Sequence, residues 1–159
     1  MYNHLRDEYI ELSPDEEKYN THLFPPEFQP IIDLFAEDVG CVPYRQYIHE
    51  GRLFITGYNE ETEAQNSLML RLGNKVKKQL TIARISFANQ RQGYCTRLIN
   101  ILTEIGIKEG YEAIEIEAIA SDEMMNFCDK HGFVNYPSKD LKDIYKPMFE
   151  TNNRYKYLD

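Results

Sequence analysis

The chain has 159 residues, 42% apolar and 28% charged, the composition of one globular domain rather than of a disordered, collagen-like or membrane-spanning chain. Eighteen Lys and Arg against 26 Asp and Glu give a formal net charge of -8, a poor match for the phosphate backbone of nucleic acids. The deficit is local: residues 1–60 hold 12 acids and 4 bases, and residues 61–159 hold 14 of each.

Cys41, Cys95 and Cys128 lie far apart with no CxxC pair, which fits reduced thiols and a cytoplasmic protein. The first residues lack an apolar stretch after a basic start, so no signal peptide is expected. No apolar run approaches the roughly 18–20 residues that a membrane span needs.

In chain order, Glu8 to Leu12 reads as a short strand. Ser13-Pro14-Asp15-Glu16 then has the form of a helix start, with Ser as cap and Pro at the first helical position. Pro25, Pro26 and Pro30 interrupt the chain, after which Ile31, Ile32, Leu34, Phe35 and Val39 give helical spacing up to Gly40. The period changes from residue 52. Leu53–Ile55, Ser67–Leu72 and Leu80–Phe87 read as strands, the last two joined by a turn at Gly73-Asn74. Their proximity predicts an antiparallel meander.

After Phe87 the order becomes loop, helix, strand, helix. Thr96 to Glu109 carries a broad apolar stripe with Gly110 just past its end. Ala113 to Ile119 alternates as a strand, and Ser121-Asp122-Glu123 opens a short helix that stops at Gly132. A strand–helix–strand unit of this length implies a right-handed crossover and a parallel pair between residues 80–87 and 113–119. The class expected is α+β with a mixed sheet.

The loop Asn89-Gln90-Arg91-Gln92-Gly93-Tyr94-Cys95-Thr96 lies between a strand and a helix, where unpaired backbone N–H groups and the positive helix end suit an anion. Gly93 permits close approach, and Arg91 and Arg97 add charge. It is neither a Walker A loop nor a Rossmann fingerprint: no Gly-Lys-Ser/Thr is present, and only one of three glycines.

Gln90-x-x-Gly93-x-Cys95 resembles the pyrophosphate loop of the GCN5-related N-acetyltransferases (GNAT), and Phe127-Cys128-Asp129-Lys130-His131-Gly132-Phe133 is similar to that family's closing signature. Both stand in family order across residues 80–134. The resemblance implies a single GNAT-like domain over 1–159, with an acidic acceptor-side part at 1–60 and an acyl-CoA-binding core at 80–134. The sheet would be mostly antiparallel, with a splayed central parallel pair flanked by helices. It further implies that the backbone of Ala83, Arg84 and Ile85 pairs with pantetheine. The amides of Arg91, Gln92, Gly93, Tyr94, Cys95 and Thr96 would cradle the pyrophosphate, and Ser121 or Asp122 would bond the pantetheine. Cys95 stands where the family has Gly or Ala.

For chemistry, the resemblance assigns Glu117 as base and Cys128 to the position of the family's proton-donating Tyr, with Tyr94 and Tyr136 as nearby phenols. Glu115 and Glu117 share one strand face, which means either a solvated face or a site. Cys128 reads equally as a small apolar filler. His131 at a helix end is expected to cap, with the macrodipole favouring its charged form. Lys75-Val76-Lys77-Lys78 reads as a solvated turn or a contact for a CoA phosphate. No residues show metal-ligand spacing, and none argues for a covalent intermediate.

The function expected is direct transfer of an acetyl group from acetyl-CoA to a primary amine, small molecule or peptide, without nucleic acid or membrane partners. The alternative is a degenerate GNAT-fold module that senses CoA or docks a protein. A homodimer is left open. The acidic first third points either to a cationic acceptor steered by field or to acidity that serves solubility alone.

Overall fold

The computed structural model describes residues 25–73, 78–137, 140 and 152–158. The expected strand at 8–12, the helix from Ser13, the position of Asn74 and the run Lys75–Lys77 lie outside them. No helix among the described residues is long and apolar enough to cross a membrane.

A 3-10 turn at Pro26–Phe28 leads into helix α1, Gln29–Val39. Pro30 sits in its first turn, where a missing N–H costs nothing, and Gly40 ends it at φ 80°. Four strands follow, β1 (Arg45–His49), β2 (Arg52–Tyr58), β3 (Gln65–Arg71) and β4 (Gln79–Ser86), then helix α2 (Tyr94–Glu109). Strand β5 (Ala113–Ile116), helix α3 (Asp122–Lys130) and strand β6 (Arg154–Tyr157) complete the order. The six strands lie in chain order in one sheet. Strands β1 to β4 form an antiparallel meander, β4 and β5 run parallel, and β6 returns antiparallel to β5. The mixed α+β sheet with one central parallel pair is the architecture expected.

Several elements differ from expectation: β2 and β3 extend to Tyr58 and back to Gln65, beyond the expected Leu53–Ile55 and Ser67–Leu72. Strand β1 was not anticipated, because its inward positions are Gln46 and Ile48, and a buried Gln breaks the apolar alternation. Its hairpin turn is nonetheless local: Glu50 and Gly51 take φ 49° and 72° between paired His49 and Arg52, the two-residue loop that follows strand twist. Helix α2 begins at Tyr94, one residue after Gly93, rather than at Thr96. Strand β5 ends at Ile116 instead of Ile119, since Ala118 adopts φ 55° and turns the backbone off the ladder.

Helix α1 covers β2 and β3, α2 covers β4 and β5, and the two helices touch. Phe28, Ile31, Leu34 and Phe35 of the 3-10 turn and α1, Leu98 and Leu102 of α2, and Leu53, Ile55, Leu68, Leu70, Leu80, Ile82 and Ile114 of the sheet belong to one core. All are at most 2% exposed, so removal of apolar surface from water fastens both helices to the sheet.

Candidate active site

The site begins where the parallel pair parts. Paired rungs run from Gln79 opposite Ala113 to Ile82 opposite Ile116. The Glu117 amide then donates to the Ile82 carbonyl at 3.2 Å, and β5 turns away. Strand β4 continues to Ser86, paired with β3 on its other edge. The β3–β4 register slips between Met69, opposite Arg84, and Leu70, opposite Ile82, so Ala83 is the extra residue of a bulge. A bulge bends its strand and re-aims the backbone that follows. Residues 83–86 therefore run along the gap with no described strand on the β5 side.

From this gap a groove of about 450 Å³ extends to the N-terminus of α2. Ile85, Ser86 and Phe87 form one wall, residues of the 89–96 loop its head, and Ser121, Glu123, Met124 and Phe127 the other wall. Of the residues assigned to a cofactor, Ile85, Arg91, Gly93, Tyr94, Cys95, Thr96 and Ser121 line it. Ala83, Arg84, Gln92 and Asp122 are not on its wall. Ser121 caps α3 by accepting from the Met124 amide at 3.1 Å, which leaves Asp122 in the first helical turn, exposed.

The loop is shaped to present amides. Arg91 and Gly93 take φ 61° and 79°. Helix α2 opens without a side-chain cap and without an acid in its first turn. The leading N–H groups of a helix have no intrahelical partner, and its positive end attracts anions. A Cβ built on Gly93 meets nothing within 4 Å, so the space before the turn is open. Arg91 reaches across to Glu123 at 2.9 Å, and Phe87 stacks between Phe35 and Tyr94 at 4.8 and 5.6 Å.

One anchor of this loop was not anticipated. Asp38, 3% exposed at the end of α1, accepts from the amides of Ala88 at 2.7 Å and Asn89 at 2.8 Å. Its Oδ1 also accepts from Asn89 Nδ2 at 3.2 Å, and its Oδ2 from Asn66 Nδ2 at 2.9 Å. A buried carboxylate costs free energy unless its oxygens are satisfied, and these four donors satisfy them. In sequence Asp38 is one acid among twelve in an acidic third; nothing local marks it.

The candidates for chemistry are placed as follows. Glu117 stands at the head of the gap, held by both guanidinium nitrogens of Arg71, with the Nη1 bond at 2.9 Å. Glu115, within β5, is buried and accepts from Gln79, Thr81 and Asn153 at 2.8, 2.9 and 3.3 Å. The two carboxylates thus differ: Glu115 is sealed in the sheet, whereas Glu117 is part-exposed and paired with the Arg71 guanidinium, on the wall of neither the groove nor a second, polar cleft. Cys128 is fully buried, off the groove wall, and burial pushes its thiol up to about 11 against the pull of Arg154. Burial pushes Cys95 up to about 12, with Cys128 adding to the shift. Both thiols hold their protons at neutral pH. Tyr94 is shifted upward by burial and by Glu37 and Asp38. Tyr136 lies off the groove, stacked on Tyr157 at 5.9 Å.

His131 caps α3, as expected, but its charge does not follow the macrodipole. Burial, with Lys130 and Lys156 nearby, lowers its pKa below the ordinary value, and Nε2 sits 3.4 Å from Thr96 Oγ1.

A second cleft of about 640 Å³ meets the groove at Ser86, which lines both. Its walls are polar: Tyr44, Thr56, Tyr58, Gln65, Asn66 and Ser67 among them, with Glu60 the one charged side chain among the described residues that line it.

No protein-family model matches the sequence, and no curated protein is significantly similar to it. Solved structures do match. GCN5 of Tetrahymena aligns over 93% of this chain and 94% of its own, at 16% identity and a TM-score of 0.51. An acetyltransferase of the GNAT family from Staphylococcus aureus Mu50 aligns over 94% and 98%, at 13% identity and a TM-score of 0.48. Likeness at these identities is likeness of fold: the six-stranded mixed sheet with its single parallel pair is the GNAT fold.

Proposed function

We propose that the protein is an acetyl-CoA-dependent N-acetyltransferase that transfers the acetyl group directly to a primary amine. The observation that carries this reading is the continuous groove from the parted β4–β5 pair to the uncapped N-terminus of α2. It offers two things a CoA thioester needs: a strand edge for the amides of the pantetheine arm and helix-end amides for the pyrophosphate. Bound there, acetyl-CoA would supply the activated acyl carbon. The backbone of Ile85, on the groove wall, would align the arm; Ala83 and Arg84 would do so only from the strand leading into it. The amides of residues 91–96 would hold the diphosphate, and Ser121 would flank the chain from α3.

Glu117 is the base we assign, because its amide makes the last bond between β4 and the segment after β5, at the rung where the strands part. Arg71 fixes its orientation, and proton transfer from the amine needs that pair to loosen or a water to intervene. Cys128 carries a proton but lies in the core, so its assignment as donor to the leaving thiolate requires access that the closed packing does not provide. The acceptor is a cationic amine: among the described residues that line it, the polar cleft beside the groove carries a carboxylate, Glu60, and no basic side chain.

The test is release of free thiol from acetyl-CoA across a panel of polyamines, amino sugars and basic peptides. Tight CoA binding without turnover on any amine would favour the second reading, a CoA-sensing module, for which the burial of Cys128 is the specific support.

A further inference from the structure

We propose that Asp38 is a positioning residue that sets the pitch of the cofactor loop and ties it to the polar cleft. This inference rests on the reading of the groove as the acyl-CoA site. The carboxylate is the meeting point of two side chains that line different spaces. Asn89 lines the groove and donates to Asp38 through its backbone and side-chain nitrogens, and also to the Asp38 carbonyl at 2.6 Å. Asn66 lines the cleft and donates to Asp38 Oδ2 and to the Phe35 carbonyl, both at 2.9 Å.

Two acceptors on one side determine the orientation of the Asn66 amide: its nitrogen must face α1, so its oxygen faces the β2–β3 ladder. There the oxygen lies against Gly57, another cleft residue, where any Cβ would collide with it. Asn66 is thus held between the cleft wall and Asp38. The loop side is equally constrained. Ala88 and Asn89 precede Gly93 by a few residues, so the angle at which their amides meet the carboxylate sets how the first turn of α2 enters the groove. Because the carboxylate is buried and its four donors come from β3 and the loop, a shift of either partner leaves a buried charge under-solvated. The sheet, the loop and α1 therefore move together or not at all.

The experiment titrates CoA by calorimetry into the wild type, Asp38→Asn, Asn66→Ala and Asn89→Ala, and follows exchange of the Ala88 and Asn89 amides by NMR. If loss of the anchor leaves about a tenth of the molecules with a competent loop, the CoA dissociation constant rises about tenfold in Asp38→Asn. Asn66→Ala removes no atom from the groove, yet it is expected to raise the constant several-fold and to speed exchange at both amides. A merely structural role would not reproduce the second signature: the Asn66→Ala effect on CoA disappears in an Asp38→Asn background. Should Asp38→Asn fail to fold, the two Asn variants and their double-mutant cycle carry the test. Folded variants that bind CoA like the wild type and keep slow amides overturn the proposal. If the wild type itself binds no CoA, the acyl-CoA reading fails; amide exchange alone then decides the positioning role, and unchanged exchange in Asn66→Ala overturns it.

Discussion

Replacing Gly93 by Ala separates backbone strain from crowding. Gly93 holds φ 79° and ψ 7° ahead of α2, and a Cβ there touches nothing within 4 Å. The cost is therefore conformational alone. An L-residue in the left-handed region is strained by about 1–2 kcal/mol relative to Gly. Ala also restricts the unfolded chain, which offsets part of this, on the order of 0.4–1 kcal/mol. A net loss of about 1 kcal/mol is expected, equivalent to about 2–4 °C in Tm for a chain of this length. Urea unfolding at matched m-values reads it directly. Gly93→Asn should lose less, since Asn enters the left-handed region more readily. An Ala variant as stable as the wild type, or more so, would refute the reasoning: the loop would not hold a positive φ, and its presentation of amides would fall with it.

Other perturbations follow from the same geometry. Leu102, fully buried between α2 and the sheet, is expected to lose about 2–5 kcal/mol on substitution by Ala, read by chemical denaturation. Cys95 and Cys128 are raised to about 12 and about 11 from an ordinary value of 9.0, so the unfolded chain releases these protons first. Stability is then complete below about pH 9 and declines as pH rises toward 11, by at most about 1.4 kcal/mol per pH unit for each thiol. Cys95→Ala should flatten that decline, and a flat wild-type profile between about pH 9 and 10.5 would contradict it. Glu117→Gln should lower kcat by about 100-fold or more if Glu117 is the base, without changing CoA affinity; an unchanged kcat leaves it as the structural partner of Arg71. Glu60→Gln should raise the acceptor KM and spare that of acetyl-CoA, whereas equal changes in both would remove the cleft from acceptor recognition.

The charge deficit of the first third has a partly structural explanation. Glu37 pairs with Arg97 on α2, Asp38 anchors the loop, and Glu50 lies 3.9 Å from His49. Glu37 and Asp38 thus tie α1 to α2 and to the loop, and among the described residues of that third Glu60 is the acid that enters the cleft.

What the sequence by itself determined is whatever local chemistry decides. Gly40 and Gly110 end their helices in the left-handed region, Ser121 caps α3, and the spacing of apolar residues placed the meander and the parallel crossover. Gly93 marked the turn between strand and helix, where it takes the left-handed φ of 79°. Tertiary structure decided everything that depends on partners remote in the chain. Asp38 meets Asn66 across 28 residues and Asn89 across 51, and Arg71 meets Glu117 across 46. A carboxylate's role is set by which donors surround it once water is excluded, and that environment exists only after the sheet has closed on its helices. The same reason separates Glu115 from Glu117. They are alike in sequence, two residues apart, yet Glu115 is satisfied inside the sheet while Glu117, just past the end of β5, pairs with Arg71.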